Sequence, residues 1–412
     1  MVSRRPTGGA TLVAVLLVVA SCDATTSPTP SASGSAVPSQ ATDSPRASAS
    51  ASASAAPEAV TGGDLEMSFQ EVDPRLTYPM LEFASASDAV IFSSGVADGP
   101  DAVGAPDLWR IDTVSNEPEL LWRNPRRDRD LIRIGGHRRT WAFVEIGVEG
   151  ERAWDLWVLD EPGGDPVLLD THPGGEDVSS LVPSFSVYDD GIAWTAFDRG
   201  PNGAVSQLRY AEGPRWEPQL LAERDAARAE LWLPSLVDHQ LAYCEVVYSD
   251  DRSTDERHVY LVDLLDPAAE PERLDTSGRA TMPMVVQGNV VWKEADPGFS
   301  MFNWGKLVLW ERQTGERTSL PSEEQEYVNY PSGGERFILS WGSDTSMFAA
   351  WDHDLRRWRT IERYPSTGPE RVLRPHVSGA LAAWLYLPDT FSDEPGRLRW
   401  AWLPEAGSDR GR

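Results

Sequence analysis

What most constrains this chain is a three-part pattern that recurs roughly every fifty residues. A short apolar-to-aromatic string appears as Val90-Ile91-Phe92, Trp141-Ala142-Phe143, Ile192-Ala193-Trp194, Leu241-Ala242-Tyr243, Val290-Val291-Trp292, Leu339-Ser340-Trp341 and Ala382-Ala383-Trp384. Their closing aromatics stand 51, 51, 49, 49, 49 and 43 residues apart. A second string follows each of them: Leu108 to Asp112, Leu156 to Asp160, Leu208 to Glu212, Val259 to Asp263, Leu307 to Glu311 and Phe348 to Asp352. The seventh copy, Leu398 to Trp402, lacks the final acid. The third marker is a proline ahead of the aromatic, at Pro79, Pro183, Pro234, Pro283, Pro331 and Pro375; the second unit has Leu131 instead. Three independent markers at one period define a structural repeat.

Each unit divides into four short β-type runs separated by turn chemistry. In the third unit these are Phe185 to Tyr188, Ile192 to Phe197, Gln207 to Tyr210 and Gln219 to Ala222. Asp189-Asp190-Gly191 turns the first pair, as Gln287-Gly288-Asn289 does in the fifth unit. Nearly continuous apolar runs fit sheets buried on both faces. The pattern predicts an all-β fold, a seven-bladed β-propeller of four-stranded blades. The last unit ends before a fourth strand, whereas Leu65, Met67 and Phe69 alternate with Glu66, Ser68 and Gln70 near the other end. An N-terminal strand is therefore expected to complete the last blade and close the ring, removing two exposed sheet edges.

The blade pattern resembles that of TolB-like β-propellers. Blade five carries it most fully, as Met282-Pro283-Met284, Val290-Val291-Trp292, Leu307-Val308-Leu309-Trp310-Glu311 and Thr314-Gly315-Glu316. The resemblance covers about residues 64 to 410. Family propellers often have six blades, and this chain departs from that with seven units.

Ahead of the repeats, Arg4 and Arg5 precede an apolar run from Ala10 to Ala20, too short for a spanning helix, which needs roughly 20 residues. Val19-Ala20-Ser21-Cys22 resembles the lipobox of bacterial lipoproteins, in which the cysteine is lipidated and becomes the first mature residue. The expected organisation is a signal peptide over 1–21, a lipid-anchored Ser/Ala/Pro-rich disordered tether over 22–63, and the propeller over 64–412. This places the protein on the outer face of a bacterial cytoplasmic membrane, held there only through the lipid on Cys22.

Composition narrows the chemistry. With 37 basic and 64 acidic residues the formal charge is -27, which opposes a nucleic-acid partner, since phosphate binding needs a basic face. With Cys22 lipidated, Cys244 in the apolar run Leu241 to Val247 reads as a small buried hydrophobe. Asp112, Asp160, Glu212, Asp263, Glu311 and Asp352, which end the second string, precede short turns and are expected to cap them. The histidines lack zinc spacing, and His353 reads as a solvated turn residue. Asp250, Asp251, Asp255 and Glu256 lack the order of a calcium loop. Gly298-Phe299-Ser300-Met301-Phe302 begins like a nucleophile elbow but misses its second glycine. The sequence thus predicts no catalytic residue, no metal and no cofactor.

The longest insertions, Ser93 to Asp107, Ser249 to His258, Lys293 to Lys306 and Pro388 to Arg397, all join second to third strands and crowd one rim. The third of them holds Phe299, Phe302 and Trp304, a cluster able to stack on sugar rings or anchor a protein. The expected function is non-catalytic binding of an envelope protein or glycan by a scaffold or sensor. The alternative is a glycan-active hydrolase or lyase with an acidic site at the channel mouth, drawing on Asp130, Asp238 or Asp250.

Overall fold

The structure is a computed structural model that describes residues 70–71, 80–94, 106–115, 117–126, 128–147, 153–174, 182–250, 255–266, 268, 270–295, 305–321, 329–342, 347–363, 371–387 and 397–404. The repeat units fold as four-stranded antiparallel sheets. A short strand, β1 (Gln70–Glu71), precedes the first blade, which is β2 (Met80–Ser85), β3 (Ala89–Ser94), β4 (Asp107–Asp112) and β5 (Pro118–Trp122). The second is β6 (Arg129–His137), β7 (Thr140–Gly147), β8 (Trp154–Leu159) and β9 (Val167–His172). The third is β10 (Phe185–Tyr188), β11 (Gly191–Gly200), β12 (Gly203–Glu212) and β13 (Gln219–Asp225). The fourth is β14 (Ala229–Val237), β15 (Gln240–Tyr248), β16 (Asp255–Asp263) and β17 (Glu272–Arg273). The fifth is β18 (Ala280–Val286), β19 (Asn289–Ala295), β20 (Gly305–Trp310) and β21 (Arg317–Ser319). The sixth is β22 (Asn329–Gly333), β23 (Phe337–Gly342), β24 (Met347–Asp352) and β25 (Arg357–Arg363). The last blade has β26 (Arg371–Ser378), β27 (Leu381–Leu387) and β28 (Arg397–Trp402).

Its fourth strand comes from the other end of the chain. The sheet order is β1-β28-β27-β26, with Gln70 opposite Trp400 and Glu71 opposite Arg399. The first strands β2, β6, β10, β14, β18, β22 and β26 each touch the next, and β26 touches β2. They therefore line a central channel. The chain is a seven-bladed β-propeller.

Packing follows the repeat. The buried apolar residues form one cluster per pair of neighbouring blades, including one that joins Phe83, Val90 and Phe92 of the first blade to Leu381, Ala383 and Trp400 of the last. The repeat aromatics Phe92, Phe143, Trp194, Tyr243, Trp292 and Trp384 are all buried at these interfaces. Each contributes about 1.5–3 kcal/mol by leaving water, so the aromatic marker in the sequence is the interface itself.

The proline marker has a different cause. Register slips by an extra residue in β14 between Trp232 and Ser235, in β18 between Thr281 and Met284, in β22 between Asn329 and Ser332, and in β26 between Leu373 and His376. Pro234, Pro283, Pro331 and Pro375 sit inside these bulges, where a residue without an N–H costs no ladder bond. The second blade is irregular nearby, between Leu131 and Arg133, where Ile132 is the extra residue and Leu131 itself pairs with Glu145, so a blade forms without the proline. Beyond the bulge, hydroxyls stitch adjoining first strands: Ser186 Oγ accepts from Leu236 N–H at 3.0 Å, Ser235 Oγ from Val285 N–H at 3.0 Å, and Ser332 Oγ from Val377 N–H at 3.3 Å.

The first-to-second turns are two-residue hairpins whose leading residue has positive φ: 52° at Arg138, 48° at Asp189, 47° at Asp238, 48° at Gln287 and 59° at Gly379. Such turns match the twist of their strands. The third blade also closes its second-to-third connection tightly, with Gly200 opposite Gly203. This starts β12 four residues ahead of the expected Gln207, at Gly203–Glu212.

Candidate functional site

The strand order gives the propeller two unlike faces. First-to-second and third-to-fourth turns share one, the turn face. Second-to-third connections and the links between blades share the other, the loop face. Phe299, Phe302 and Trp304 fall in sequence between β19 and β20 and lie outside the described residues, as does Cys22. The residues flanking that loop are informative. Gly305 opens β20 where a Cβ would stand 2.5 Å from the Glu294 carbonyl oxygen, so the chain can rejoin the sheet there only as glycine. Lys293 is fully buried, and burial pulls its ammonium down to about 8. It occupies the blade position at which Ser93 bonds Glu82 in the first blade and Thr195 bonds Ser184, just ahead of β10, in the third.

Of the acids considered for a glycan-cleaving site, Asp130 opens β6 opposite Ile146 on the loop-face side, where burial raises its carboxyl. Asp238 lies in the turn before β15 and Asp250 follows its other end. Nine residues of β15 separate them, about 30 Å of extended chain. Asp238 and Asp250 therefore cannot form a catalytic pair, because β15 carries them to opposite faces.

The acids that end the third strands do cap turns. Asp112 Oδ1 accepts from Val114 N–H at 2.9 Å and Ser115 N–H at 2.8 Å, and Asp352 Oδ1 accepts from Asp354 N–H at 3.1 Å. They also latch one blade to the next, which their sequence position does not reveal. Arg312 reaches Asp263 at 3.1 Å, Arg356 reaches Glu311, and the Trp216 indole donates to Asp160 at 3.4 Å. His353 departs from its expected solvated setting. It is buried against the fifth blade, with Nε2 3.0 Å from Asn289 Nδ2, and burial lowers its pKa.

On the loop-face side a glutamate two residues past the aromatic meets an arginine in three blades. Glu145 pairs with Arg126, Glu245 with Arg224 at 2.7 Å, and Glu294 with Arg279 at 3.4 Å. A second recurring triad spans blade boundaries. The Trp194 indole and Arg209 both donate to Asp170 of the preceding blade at 2.7 Å; Trp384 and Arg399 treat Glu362 alike, at 3.2 and 2.8 Å. Cys244 is buried as expected, its thiol donating to the Ala280 carbonyl at 3.5 Å, and burial pushes it up to about 12. Among the described residues no group of three or more His, Cys, Asp or Glu stands where it could hold a metal ion.

The densest polar constellation closes the channel on the turn face. His137 ends β6 and Glu335 lies in the turn after β22, in the second and sixth blades, so their contact crosses the channel. His137 Nδ1 lies 3.0 Å from the Asp189 N–H and 3.1 Å from Asp189 Oδ1, and Nε2 hydrogen-bonds Glu335 Oε1 at 2.9 Å. Tyr188 stacks on the imidazole with ring centroids 4.3 Å apart and also bonds Glu335. The Glu335 carbonyl accepts the Gln287 N–H at 2.9 Å, and Ala86 accepts the Arg138 N–H at 2.8 Å. Ser87 Oγ and Ser378 Oγ meet at 2.7 Å. One glutamate thus ties the fifth and sixth blades to the second and third.

The hydrogen bond from His137 holds the Glu335 carboxyl below its ordinary value of 4.5. Glu335→Ala should cost about 1–3 kcal/mol at neutral pH by leaving the His137 Nε2–H without its acceptor. Because the folded pKa is depressed, this stabilisation is complete above the unfolded value and is lost as pH falls through the folded one. Urea melts of parent and variant should differ most at pH 7 and converge in strong acid.

The sequence matches no protein-family model and no curated protein. Among solved structures it is similar to the β-propeller domain of the Trilobed protease from Pyrococcus furiosus, with a TM-score of 0.54 and 11% identity, over 78% of this chain and 92% of that one. It is also similar to an acylaminoacyl peptidase from Pyrococcus horikoshii, with a TM-score of 0.52 and 11% identity, over 79% of this chain and 52% of that one. The likeness is one of fold. The propeller spans about half of that peptidase. The Trilobed domain is described as having an open velcro topology, whereas here β1 pairs with β28.

Proposed function

We propose that this propeller is a binding scaffold or sensor of the bacterial envelope that engages a protein or glycan through its loop face. In this reading Cys22 carries a lipid, residues 1–21 are a signal peptide, and the tether over 22–63 lifts the ring off the outer face of the cytoplasmic membrane. The repeat itself is read as TolB-like. The observation that carries the proposal is how the described carboxylates are used. Glu145, Glu245, Glu294, Asp170 and Glu362 each bind an arginine, and Glu335 closes the turn face. These groups build a rigid frame, and the longest insertions leave the face opposite the closed one. A glycan-active hydrolase or lyase would need two carboxylates about 5–10 Å apart, and the separation of Asp238 from Asp250 weighs against it.

A thermal-shift screen of the Cys22→Ala chain against envelope oligosaccharides and peptidoglycan fragments tests the glycan form. A ligand at 100 times its dissociation constant adds about 2.7 kcal/mol. The shift should disappear in Trp304→Ala, since Phe299, Phe302 and Trp304 are the proposed contacts. If neither a glycan shift nor a specific crosslinked partner is found, the scaffold reading fails.

A further inference from the structure

From the second blade to the sixth, the turn-face latches between neighbouring blades are interrupted at one boundary, that of the third and fourth. Elsewhere each acid that ends a third strand has a donor besides its own strand. Asp160 has the Trp216 indole, Asp263 has Arg312, Glu311 has Arg356, and Asp352 has Arg336; Asp112 is capped by its turn. Arg312 directly follows the third-strand acid of the fifth blade and reaches back to the fourth. The corresponding residue of the fourth blade is Leu264, which packs beside Tyr210 and Leu236 instead of offering a cation to Glu212. Among the described residues the Glu212 side chain is bonded by the Tyr210 hydroxyl and has no cation.

A small depression of about 40 Å³ opens beside Tyr210, whose hydroxyl meets Glu212. Tyr188, Tyr210 and Leu236 line it together with the carboxylates of Asp189, Asp190 and Asp238, of which Asp189 is paired with Arg138 at 3.1 Å. Gly191 makes room for the Tyr210 hydroxyl, which would stand 3.0 Å from a Cβ there. Among the described residues none of Asp190, Glu212 and Asp238 is ion-paired. The fourth blade's turn also stays out of the network that closes the channel, bonding its own blade through Leu264 N–H to the His239 carbonyl at 2.9 Å. Burial first, then the Glu212 and Asp190 charges, push the Tyr210 phenol up.

We propose that this depression is a receptor for an arginine side chain presented by a protein partner, the guanidinium taking the place that Arg312 and Arg356 fill at neighbouring blade boundaries. The geometry suits a planar cation. Tyrosine rings can cover its faces while Glu212 and Asp238 accept its N–H groups. The site lies opposite the loop face, so it stands independently of the reading given above.

The test titrates the full chain, carrying Cys22→Ala, with a capped Gly/Ser peptide containing one central arginine, followed by NMR on the peptide signals at low salt. A peptide with citrulline in that position should bind at least ten-fold more weakly, and Glu212→Gln with Asp238→Asn should weaken the arginine peptide about ten-fold. Leu264→Arg restores the repeat's own cation and should abolish peptide binding. If that variant fails to fold, the double carboxylate variant still decides. Glu270→Gln with Glu272→Gln removes the same charge elsewhere and should change affinity less than two-fold. The proposal is overturned if the arginine peptide does not bind at millimolar concentration. It is equally overturned if citrulline binds as well, or if the remote pair weakens binding as much as the local pair.

Discussion

Deleting residues 64 to 72 is expected to lower the melting temperature of the propeller by roughly 5–10 °C, at about 2 °C per kcal/mol for a domain of this size. The deletion removes β1 and uncovers the β28 edge along its pairing with Gln70 and Glu71. It also removes the one strand that ties the two ends of the ring into a single sheet. Without it the last blade is held by its interface with the sixth and by the cluster around Phe83, Phe92 and Trp400. Linking distant parts of a chain restricts the unfolded state most when the enclosed loop is long, and here the loop is the whole propeller. A synthetic peptide of residues 61–72 added to the shortened chain should recover part of the loss in a concentration-dependent way. An unchanged melting temperature after deletion would mean that the blade interfaces alone close the ring.

Much of this architecture is legible in the sequence because its causes are local or strictly periodic. The aromatics recur because each fills an interface of the same shape, and Asp189-Asp190 and Gln287-Gly288 mark hairpins because few residues accept positive φ. Proline marks the bulge in four blades, and the second blade forms its own irregularity at Ile132 without one. What stays hidden depends on which blade faces which. Glu145, Glu245 and Glu294 form a visible period once known, but their arginines come from different elements: Arg126 precedes β6, Arg224 ends β13 and Arg279 precedes β18. Glu335 and His137 are 198 residues apart, and no local pattern joins them. His353 reads as a solvated turn residue from its charged neighbours, yet Asn289 of the preceding blade covers it. The same logic separates Asp238 from Asp250, since neighbouring acids in sequence are sent to opposite faces by one strand.

Arg126→Ala is expected to cost about 3–5 kcal/mol, the usual loss when one partner of a buried ion pair is removed. Arg126 bridges two carboxylates of the second blade, Glu145 and Asp155, reaching the latter at 2.7 Å. Its guanidinium also lies over the Trp157 ring, 5.3 Å from the centroid. The carboxylates sit opposite each other in register on β7 and β8, so without the arginine their charges face each other. Asp155 would keep Thr171 at 2.6 Å and Arg129 at 3.7 Å. Glu145, whose side chain has 0% exposure, would keep no cation among the described residues. The cost therefore comes mainly from stranding Glu145, and removing its charge should relieve it. Arg126→Ala combined with Glu145→Gln should be more stable than Arg126→Ala alone in urea melts, although each single change is destabilising. That reversal of sign separates a buried latch from a surface pair, which would lose less than about 1 kcal/mol and show additive effects. Additivity would remove the Glu145 latch from the frame that holds the second blade in the ring.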